Sequence, residues 1–204
     1  MSNSLTSAIN PRIGRRRVLA DALPGARVRD ALLILAGAGI TALAAQFSFH
    51  IPGTPVPVTA QTLAVVLVGS ALGTRRGVAA LALYVLLGLM LPVYASGASG
   101  WGVVSGASGG YLFGFILAAG IVGWASEHGA DRSPLLAGAM FALGLLAIYG
   151  VGVPWLKLAT GLSWGAALHS GFTVFIVTDL MKDVVAAVGM PSAWRLERRL
   201  RTGD

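Results

Sequence analysis

An acid and a base, Asp179 and Lys182, lie well inside the last apolar stretch of the chain, residues 165–189. Residues three apart on a helix are about 60° apart around its axis, so both side chains share a face with Phe172 and Phe175. An ionisable residue near the bilayer centre costs roughly 2.5 to 3.5 kcal/mol, so a pair placed there needs a reason. Two explanations are open: an internal ion pair that holds helices together, or two polar groups that bind a solute in a pocket.

The composition of the chain predicts a protein that crosses a membrane several times. Of its 204 residues, 55% are hydrophobic and 11% are charged, and the mean hydropathy is +0.76. Soluble domains carry charge on about a quarter of their residues. The chain has no cysteine, which excludes disulfides, thiolate metal sites and cysteine nucleophiles. The net charge of +7 comes from basic residues at the ends of apolar segments, so it indicates topology and contact with membrane lipid rather than nucleic-acid binding.

Apolar runs separated by proline, glycine and charged residues predict an all-α membrane protein with six transmembrane helices. The helices form a predicted transmembrane domain, residues 31–190, between an Arg-rich cytoplasmic lead, residues 1–30, and a basic cytoplasmic tail, residues 191–204. The predicted spans are residues 31–49, 59–72, 78–91, 110–126, 135–153 and 165–189.

The distribution of basic residues predicts the orientation of the helices. Thirteen of the fifteen Lys and Arg residues fall in the lead, in the turns at residues 73–77 and 127–134, and in the tail. Cytoplasmic loops are enriched in Lys and Arg, so both termini are predicted to face the cytoplasm. The Pro-rich segment 50–59, the Gly/Ser-rich segment 93–109 and the connector 154–164 then share the outer face, where we expect them to form the rim of a pocket.

The polar residues inside the predicted spans favour binding over catalysis. The three histidines are scattered, and the sequence contains no metal-ligand or nucleotide-binding motif, so no cofactor is predicted and energy input must come from a partner or a gradient. Asp179 lies roughly 20 Å along its helix, near the middle of the membrane. Asp179, Lys182 and the amide of Gln61 offer a few fixed polar groups, which suit a small, rigid and mostly apolar solute.

Five sequence blocks occur in an order and spacing that are typical of one membrane-protein family. The blocks are PVPVTAQTL at residues 55–63, LGTRRG at 72–77, LPVY at 91–94, SGGYLFGF at 108–115, and the Asp179-x-x-Lys182 spacing. In these blocks the chain resembles the BioY family, the biotin-specific S components of energy-coupling factor (ECF) transporters. The resemblance covers about residues 31–190.

The resemblance implies an S-component fold of six helices in the bacterial cytoplasmic membrane, with a biotin site that opens to the outside. It also implies a transmembrane T component and two cytoplasmic ATPases as partners. Asp179 and Lys182 are the matching ligand-binding residues, with Gln61 as a supporting residue. The small-residue face of the first helix, with Ala38 and Ala42, is implied to dock on the T component.

Biotin suits the predicted site chemically, because its ureido group offers two N–H donors and one strongly accepting carbonyl. A carboxylate can accept an N–H and an ammonium group can donate to the carbonyl. The predicted aromatic walls, where Tyr111 also matches the family, are Tyr94, Trp101, Tyr111, Phe172 and Phe175. Some family members have a polar residue or an arginine at two positions where this chain has Ala98 and Leu112, so the remaining polar contacts are unassigned.

Three alternatives stay open on the sequence alone. The chain is expected to bind another vitamin if the pair recognises a different polar group. An intramembrane enzyme would need a second catalytic group that converges on Asp179, and the sequence offers none. In a structural membrane subunit, the pair would only hold helices together.

Overall fold

The computed structural model of the chain describes residues 18–22 and 27–202. Most of the predicted cytoplasmic lead, residues 1–17 and 23–26, and the last two residues of the predicted tail lie outside the described residues. The helices are α1 (Arg27–Gln46), α2 (Gln61–Gly88), α3 (Trp101–Ser105), α4 (Gly109–Glu127), α5 (Pro134–Thr160), α6 (Trp164–Leu168) and α7 (Val174–Thr202). A π-helical turn, His169–Thr173, joins α6 to α7.

A short antiparallel ladder lies between α1 and α2. Its strands are β1 (Ser48–Phe49) and β2 (Val58–Thr59), and Ser48 pairs with Thr59. Short 3₁₀ segments occur at Leu19–Ala22, Ala95–Gly97 and Ala130–Arg132. The described part of the chain is therefore mostly helical, with irregular connecting segments and two strands of two residues each, which confirms the predicted all-α class.

Helix α2 is a hairpin. Gly73 has φ 79° and ψ 177°, a backbone conformation that residues with a Cβ atom rarely adopt, and the chain reverses there. Gln61 and Tyr84 lie near opposite ends of α2, yet Nε2 of Gln61 donates a hydrogen bond of 2.7 Å to the Tyr84 hydroxyl. Residues 61–72 and 74–88 are therefore two antiparallel limbs, as the predicted turn at this position requires.

The side chain of Glu127 stabilises the reversal. Its carboxylate accepts hydrogen bonds from the backbone N–H of Thr74 at 2.9 Å and from the Thr74 hydroxyl at 3.1 Å. These contacts satisfy a donor at the start of the second limb, where the helix dipole also favours a negative charge. A Cβ atom at Gly73 would lie 2.7 Å from Oε1 of Glu127, so the turn has no room for a side chain.

The six-helix prediction is confirmed. Helices α1 (from Val28), α2, α4 and α5 are long and apolar enough to cross a membrane. Because α2 is a hairpin, it contributes two limbs, and α6, the π turn and α7 together form the sixth span. Close contact between helices depends on small residues. A Cβ atom at Gly69, for example, would lie only 2.9 Å from the Cα atom of Ala119, so α2 can approach α4 this closely only with glycine there.

The last two spans extend further than the sequence predicted. Helix α5 continues through Pro154 to Thr160, so most of the predicted connector 154–164 is helical. Helix α7 likewise continues through Pro191 to Thr202. A proline removes one backbone donor without necessarily ending a membrane helix, because neighbouring groups can satisfy the carbonyl that it leaves free. Proline was therefore a poor marker for the ends of these two helices.

The two predicted basic turns and the described part of the tail lie at one end of the bundle. Arg76 in the hairpin pairs with Asp30 at the start of α1, with 3.1 Å between Nε and Oδ1. In the turn between α4 and α5, Oδ2 of Asp131 accepts a hydrogen bond of 2.6 Å from Nε1 of Trp194 near the end of α7. The guanidinium group of Arg132 lies 4.6 Å from the centroid of the Trp194 ring. By the enrichment of Lys and Arg in cytoplasmic loops, this end faces the cytoplasm.

Candidate functional site

A cavity of about 330 Å³ lies toward the opposite end of the bundle. The segment from His50 to Thr62 and the segment from Tyr94 to Ser108 form part of its wall, and helices α2, α4, α5 and α7 form the rest. The volume lies within the range of small-molecule sites, which is roughly 300 to 1,000 Å³. Two of the three predicted outer segments therefore meet around one pocket.

The short limbs of α2 explain why irregular backbone surrounds the cavity. The limbs at residues 61–72 and 74–88 rise only about 18 and 22 Å at 1.5 Å per residue, whereas the apolar layer of a bilayer is about 30 Å thick. The segments that flank them, residues 50–60 and 89–108, therefore lie partly at membrane depth. Non-helical backbone is tolerated there because it is surrounded by protein or lines a cavity.

Asp179 is buried in the wall of this cavity, with 2% of the residue exposed. Its Oδ1 atom accepts a hydrogen bond of 2.9 Å from the Thr62 hydroxyl and one of 2.7 Å from Nζ of Lys182. Its Oδ2 atom accepts a hydrogen bond from the Tyr149 hydroxyl. An ionised carboxylate has about four acceptor positions, so one position is left for a ligand.

Lys182 is held by the same group of residues. In addition to Asp179, its ammonium group donates to the Thr59 carbonyl at 2.6 Å and to the Thr62 hydroxyl at 3.2 Å. All three of its N–H donors therefore have protein partners. A charge buried with its counterion and with every donor matched is far less costly than a lone charge. The pair therefore places a hydrogen-bond acceptor and a donor side by side at membrane depth.

The π turn between α6 and α7 sets how α7 faces the cavity. A π turn widens the helix by one residue and changes which carbonyls are bonded. Here the Gly171 carbonyl accepts a hydrogen bond of 2.8 Å from the Tyr111 hydroxyl. A Cβ atom at Gly171 would lie 2.5 Å from that hydroxyl, so the contact depends on glycine. Tyr111 therefore connects α4 to the helix that carries Asp179, while its ring lines the cavity.

Gln61 and two tyrosines form a second polar group in the wall. The residue Gln61 is 4% exposed, and its side chain is fixed by the hydrogen bond to Tyr84. The rings of Tyr84 and Tyr94 pack edge to face with centroids 5.7 Å apart. The Tyr94 hydroxyl donates a hydrogen bond of 2.6 Å to the Val85 carbonyl. These contacts hold three cavity-lining side chains in fixed positions.

The predicted aromatic walls divide into two groups. Tyr94, Tyr111 and Phe175 line the cavity. Trp101 does not line it and is 69% exposed, as is usual for a tryptophan at a membrane interface. Phe172 also lies outside the lining, because it belongs to the π turn and packs edge-on against the Tyr149 ring at 4.9 Å. Phe172 therefore helps to hold the Tyr149 ring in place.

Ala98 and Leu112 both line the cavity and supply no polar side-chain atom. The polar groups around the pair come instead from Thr62 and Tyr149, neither of which is predicted from the sequence to contact a ligand. Tyr149 stands in an apolar stretch of α5, and its sequence neighbours give no sign that it meets Asp179 from another helix.

Asp183 is a further acid in the same apolar stretch. It follows Lys182 directly but does not line the main cavity. It lines a small space together with Leu63 and Phe141, on the side of α7 that faces α2 and α5. Its Oδ1 atom is buried and has no hydrogen-bond partner among the described residues.

The small-residue face of α1 packs onto the protein itself. Ala38 is 1% exposed, and Ala42 is half-buried against the core. The face of α1 that points outward instead carries Leu35, Gly39 and Leu43. The predicted docking residue Ala38 is therefore covered in this conformation.

A family model described as the BioY family matches residues 15–199 of the chain. The chain belongs to the BioY family. Two of its relatives are biotin transporters of Lactococcus lactis subsp. cremoris and of Thermotoga maritima. The first is 36% identical over 157 residues, which is 76% of this chain and 85% of the relative. The second is 40% identical over 157 residues, which is 76% of this chain and 91% of the relative.

The fold of this BioY-family chain is also similar to that of a solved protein. The crystal structure at 2.1 Å of the S-component for biotin from an ECF-type ABC transporter superposes with a TM-score of 0.73 at 23% identity. The match covers 86% of this chain and 92% of the solved one. The architecture described above is therefore an S-component fold.

Proposed function

We propose that the chain captures biotin at the outer side of the bacterial cytoplasmic membrane, as the S component of an ECF-type transporter. The observation that carries this proposal is the Asp179–Lys182 pair, two opposite charges 2.7 Å apart on the wall of a small cavity. Relatives in the same family are named biotin transporters, which supports the same ligand.

The polar atoms of biotin complement the pair in sign and in number. A ureido N–H fits the open acceptor position of Asp179, and the ureido carbonyl fits the ammonium group of Lys182. Charge-assisted hydrogen bonds of this kind contribute roughly 1.5 to 3 kcal/mol each. The fused rings and the aliphatic chain then pack on Tyr94, Tyr111 and Phe175, which line the same cavity.

Binding requires a small exchange of hydrogen bonds at Lys182. Its three donors are already bonded, so the ureido carbonyl must replace either the Thr59 carbonyl or the Thr62 hydroxyl. The Thr62 contact is the longer of the two, at 3.2 Å against 2.6 Å, and is the easier one to give up. The carboxylate needs no such exchange.

The transport step is assigned to partners. The chain has no nucleotide-binding motif, so a transmembrane T component and two cytoplasmic ATPases would supply the energy. The chain itself performs no catalysis and uses no cofactor in this proposal. On α1, the outward face with Leu35, Gly39 and Leu43 is a better docking surface for the T component than Ala38, which is buried.

Calorimetric titration of the purified protein tests the ligand directly. We expect biotin to bind at one site, and thiamine and riboflavin, which lack a cyclic urea of this shape, to bind weakly or not at all. Tight binding of either of those vitamins in place of biotin would identify a different S component.

A charge exchange separates binding from a purely structural role of the pair. The double variant Asp179→Lys with Lys182→Asp keeps an ion pair but reverses the donor and acceptor positions. If the pair only joins helices, the variant retains biotin binding. The proposal predicts that binding is lost while the protein still folds.

A further inference from the structure

We infer that His50 is the group that binds the carboxylate of the ligand at the outer end of the cavity. This inference rests on the proposed function, because biotin carries a carboxylate at the end of its aliphatic chain. The pair at Asp179 and Lys182 is suited to the ureido ring, and it leaves the opposite, anionic end of the molecule without a partner.

Charged groups are scarce on the outer half of the protein. The sequence has no Asp, Glu, Lys or Arg between Asp30 and Arg75, or between Arg76 and Glu127. Both segments that surround the cavity from the outer side fall in these two intervals. Lys157 is a cation on α5 in the same half, but it does not line the cavity, and its ammonium group lies 5.3 Å from the centroid of the Trp164 ring.

Among the residues that line the cavity, the groups that can carry a positive charge are Lys182 and His50. The three donors of Lys182 are bonded to protein atoms, one of them belonging to Asp179. The other titratable groups in the lining, which carry no positive charge, are Asp179, Tyr84, Tyr94, Tyr111 and Tyr149. Among the described residues, His50 is therefore the one lining group outside the pair that can carry a positive charge.

The β1–β2 ladder fixes where His50 lies relative to the pair. Thr59, whose carbonyl accepts the hydrogen bond from Lys182, is paired with Ser48 across the ladder. His50 lies two residues beyond Ser48, which is about 7 Å along an extended strand. His50 lines the same cavity and is an exposed residue.

The shape of biotin matches this separation. With the ureido ring on Asp179 and Lys182, its four methylene groups lead away from the pair toward the mouth of the cavity. Ala98 and Leu112 line the wall and offer apolar surface to the chain but no donor to the carboxylate. The carboxylate then reaches the level of His50 and accepts a hydrogen bond from its imidazole N–H.

This assignment makes binding depend on the negative charge of the ligand. A hydrogen bond to an ionised acceptor is roughly twice as strong as one between neutral groups. Biotin, whose carboxylate is ionised at neutral pH, is therefore expected to bind more tightly than a derivative with the same rings and chain but no charge.

The test compares biotin with biotinamide, which keeps the rings and the chain but has no negative charge. For the unmodified protein we expect biotin to bind about tenfold more tightly than biotinamide. In the His50→Gln variant we expect biotin affinity to fall about tenfold, close to the effect of one hydrogen bond to a charged group. Biotinamide affinity should change less than twofold.

Two variants serve as controls, and the unmodified protein provides a second measurement. Lys157→Gln removes a cation of the outer half that does not line the cavity. His128→Gln removes a histidine that also lies outside the lining and whose Nδ1 atom contacts the Trp124 carbonyl. Both should leave biotin binding unchanged. The comparison of biotin with biotinamide on the unmodified protein keeps the inference testable even if His50→Gln does not fold.

The outcomes distinguish the two proposals. If biotin binds no more tightly than biotinamide, or with unchanged affinity in His50→Gln, the assignment of His50 is wrong while the proposed function stands. If the unmodified protein binds neither biotin nor biotinamide, the proposed function fails and the role of His50 fails with it. Tighter binding of biotin than of biotinamide, together with loss of that preference in His50→Gln, supports the assignment.

Discussion

Removal of the Tyr149 hydroxyl tests whether the contacts of Asp179 are functional. Tyr149→Phe keeps the ring, and therefore the edge-to-face contacts with Tyr111 at 6.3 Å and with Phe172 at 4.9 Å. It removes the hydrogen bond to Oδ2 of Asp179, which then has no protein donor for that atom among the described residues. The variant changes one hydroxyl on the cavity wall without creating a large void.

The expected loss follows from the chemistry of the lost bond. A hydrogen bond to a charged group contributes roughly 1.5 to 3 kcal/mol, and part of that loss is recovered when water or the ligand takes the open position. We therefore expect the unfolding free energy to fall by about 1 to 2 kcal/mol. We expect biotin affinity to fall about tenfold, because the freed carboxylate can turn away from the ligand.

Binding is measured by calorimetric titration, and stability by thermal unfolding in the same detergent. Thr41→Val is the matched control, since it also removes one buried hydroxyl, which donates 2.9 Å to the Gly37 carbonyl of α1, away from the cavity. It should lower stability slightly and leave affinity unchanged. Equal affinities for Tyr149→Phe and the unmodified protein would refute the role given to this hydroxyl.

Three further predictions concern the fold. Gly73→Ala should lower the midpoint of thermal unfolding by several degrees, because φ is 79° at this position and the new Cβ atom would lie 2.7 Å from Oε1 of Glu127. An unchanged midpoint would contradict the hairpin turn. Burial raises the pKa of the Asp131 carboxyl, so the folded state binds its proton more tightly than the unfolded chain and the ionised form lowers stability above about pH 4. Asp131→Asn should therefore be more stable than the unmodified protein at pH 7, with a difference that shrinks as the pH falls toward 4; a constant difference would argue against it. Ala38→Leu should destabilise the protein, since Ala38 is 1% exposed. Gly39→Leu should not, because there is open space around the Cβ position of Gly39. Equal unfolding midpoints for the two variants would show that α1 packs differently.

The number and orientation of the helices could be predicted from the sequence because both depend on local features. Apolar length defines a span, and the distribution of Lys and Arg defines which end faces the cytoplasm. The turn at Gly73 was visible because glycine and adjacent charges interrupt an apolar run. The ends of α5 and α7 could not be placed, since Pro154 and Pro191 lie inside these helices without ending them.

The site was predictable only in part. Asp179, Lys182 and Gln61 stand out because a polar residue in an apolar segment is costly, and all three line the cavity. Thr62 and Tyr149 have no such local signal, because their importance comes from which helices meet around Asp179.

The π turn is another feature that the sequence does not reveal. A regular helix would place Phe172 and Phe175 on the face of Asp179, as the spacing predicts. The extra residue in the turn changes the phase of the helix, so that Phe175 lines the cavity and Phe172 does not. Phase changes of this kind depend on tertiary contacts, here the bond between Tyr111 and the Gly171 carbonyl.

The most direct test of the account is calorimetric titration of biotin into the purified protein and into three variants at Asp179 and Lys182. Asp179→Asn and Lys182→Ala each remove one charge, and Asp179→Asn combined with Lys182→Met removes both without leaving a buried, unpaired charge. The account predicts one biotin site in the unmodified protein and at least a tenfold loss of affinity in every variant, with the double variant still folded. Unchanged biotin affinity in the folded double variant would contradict it.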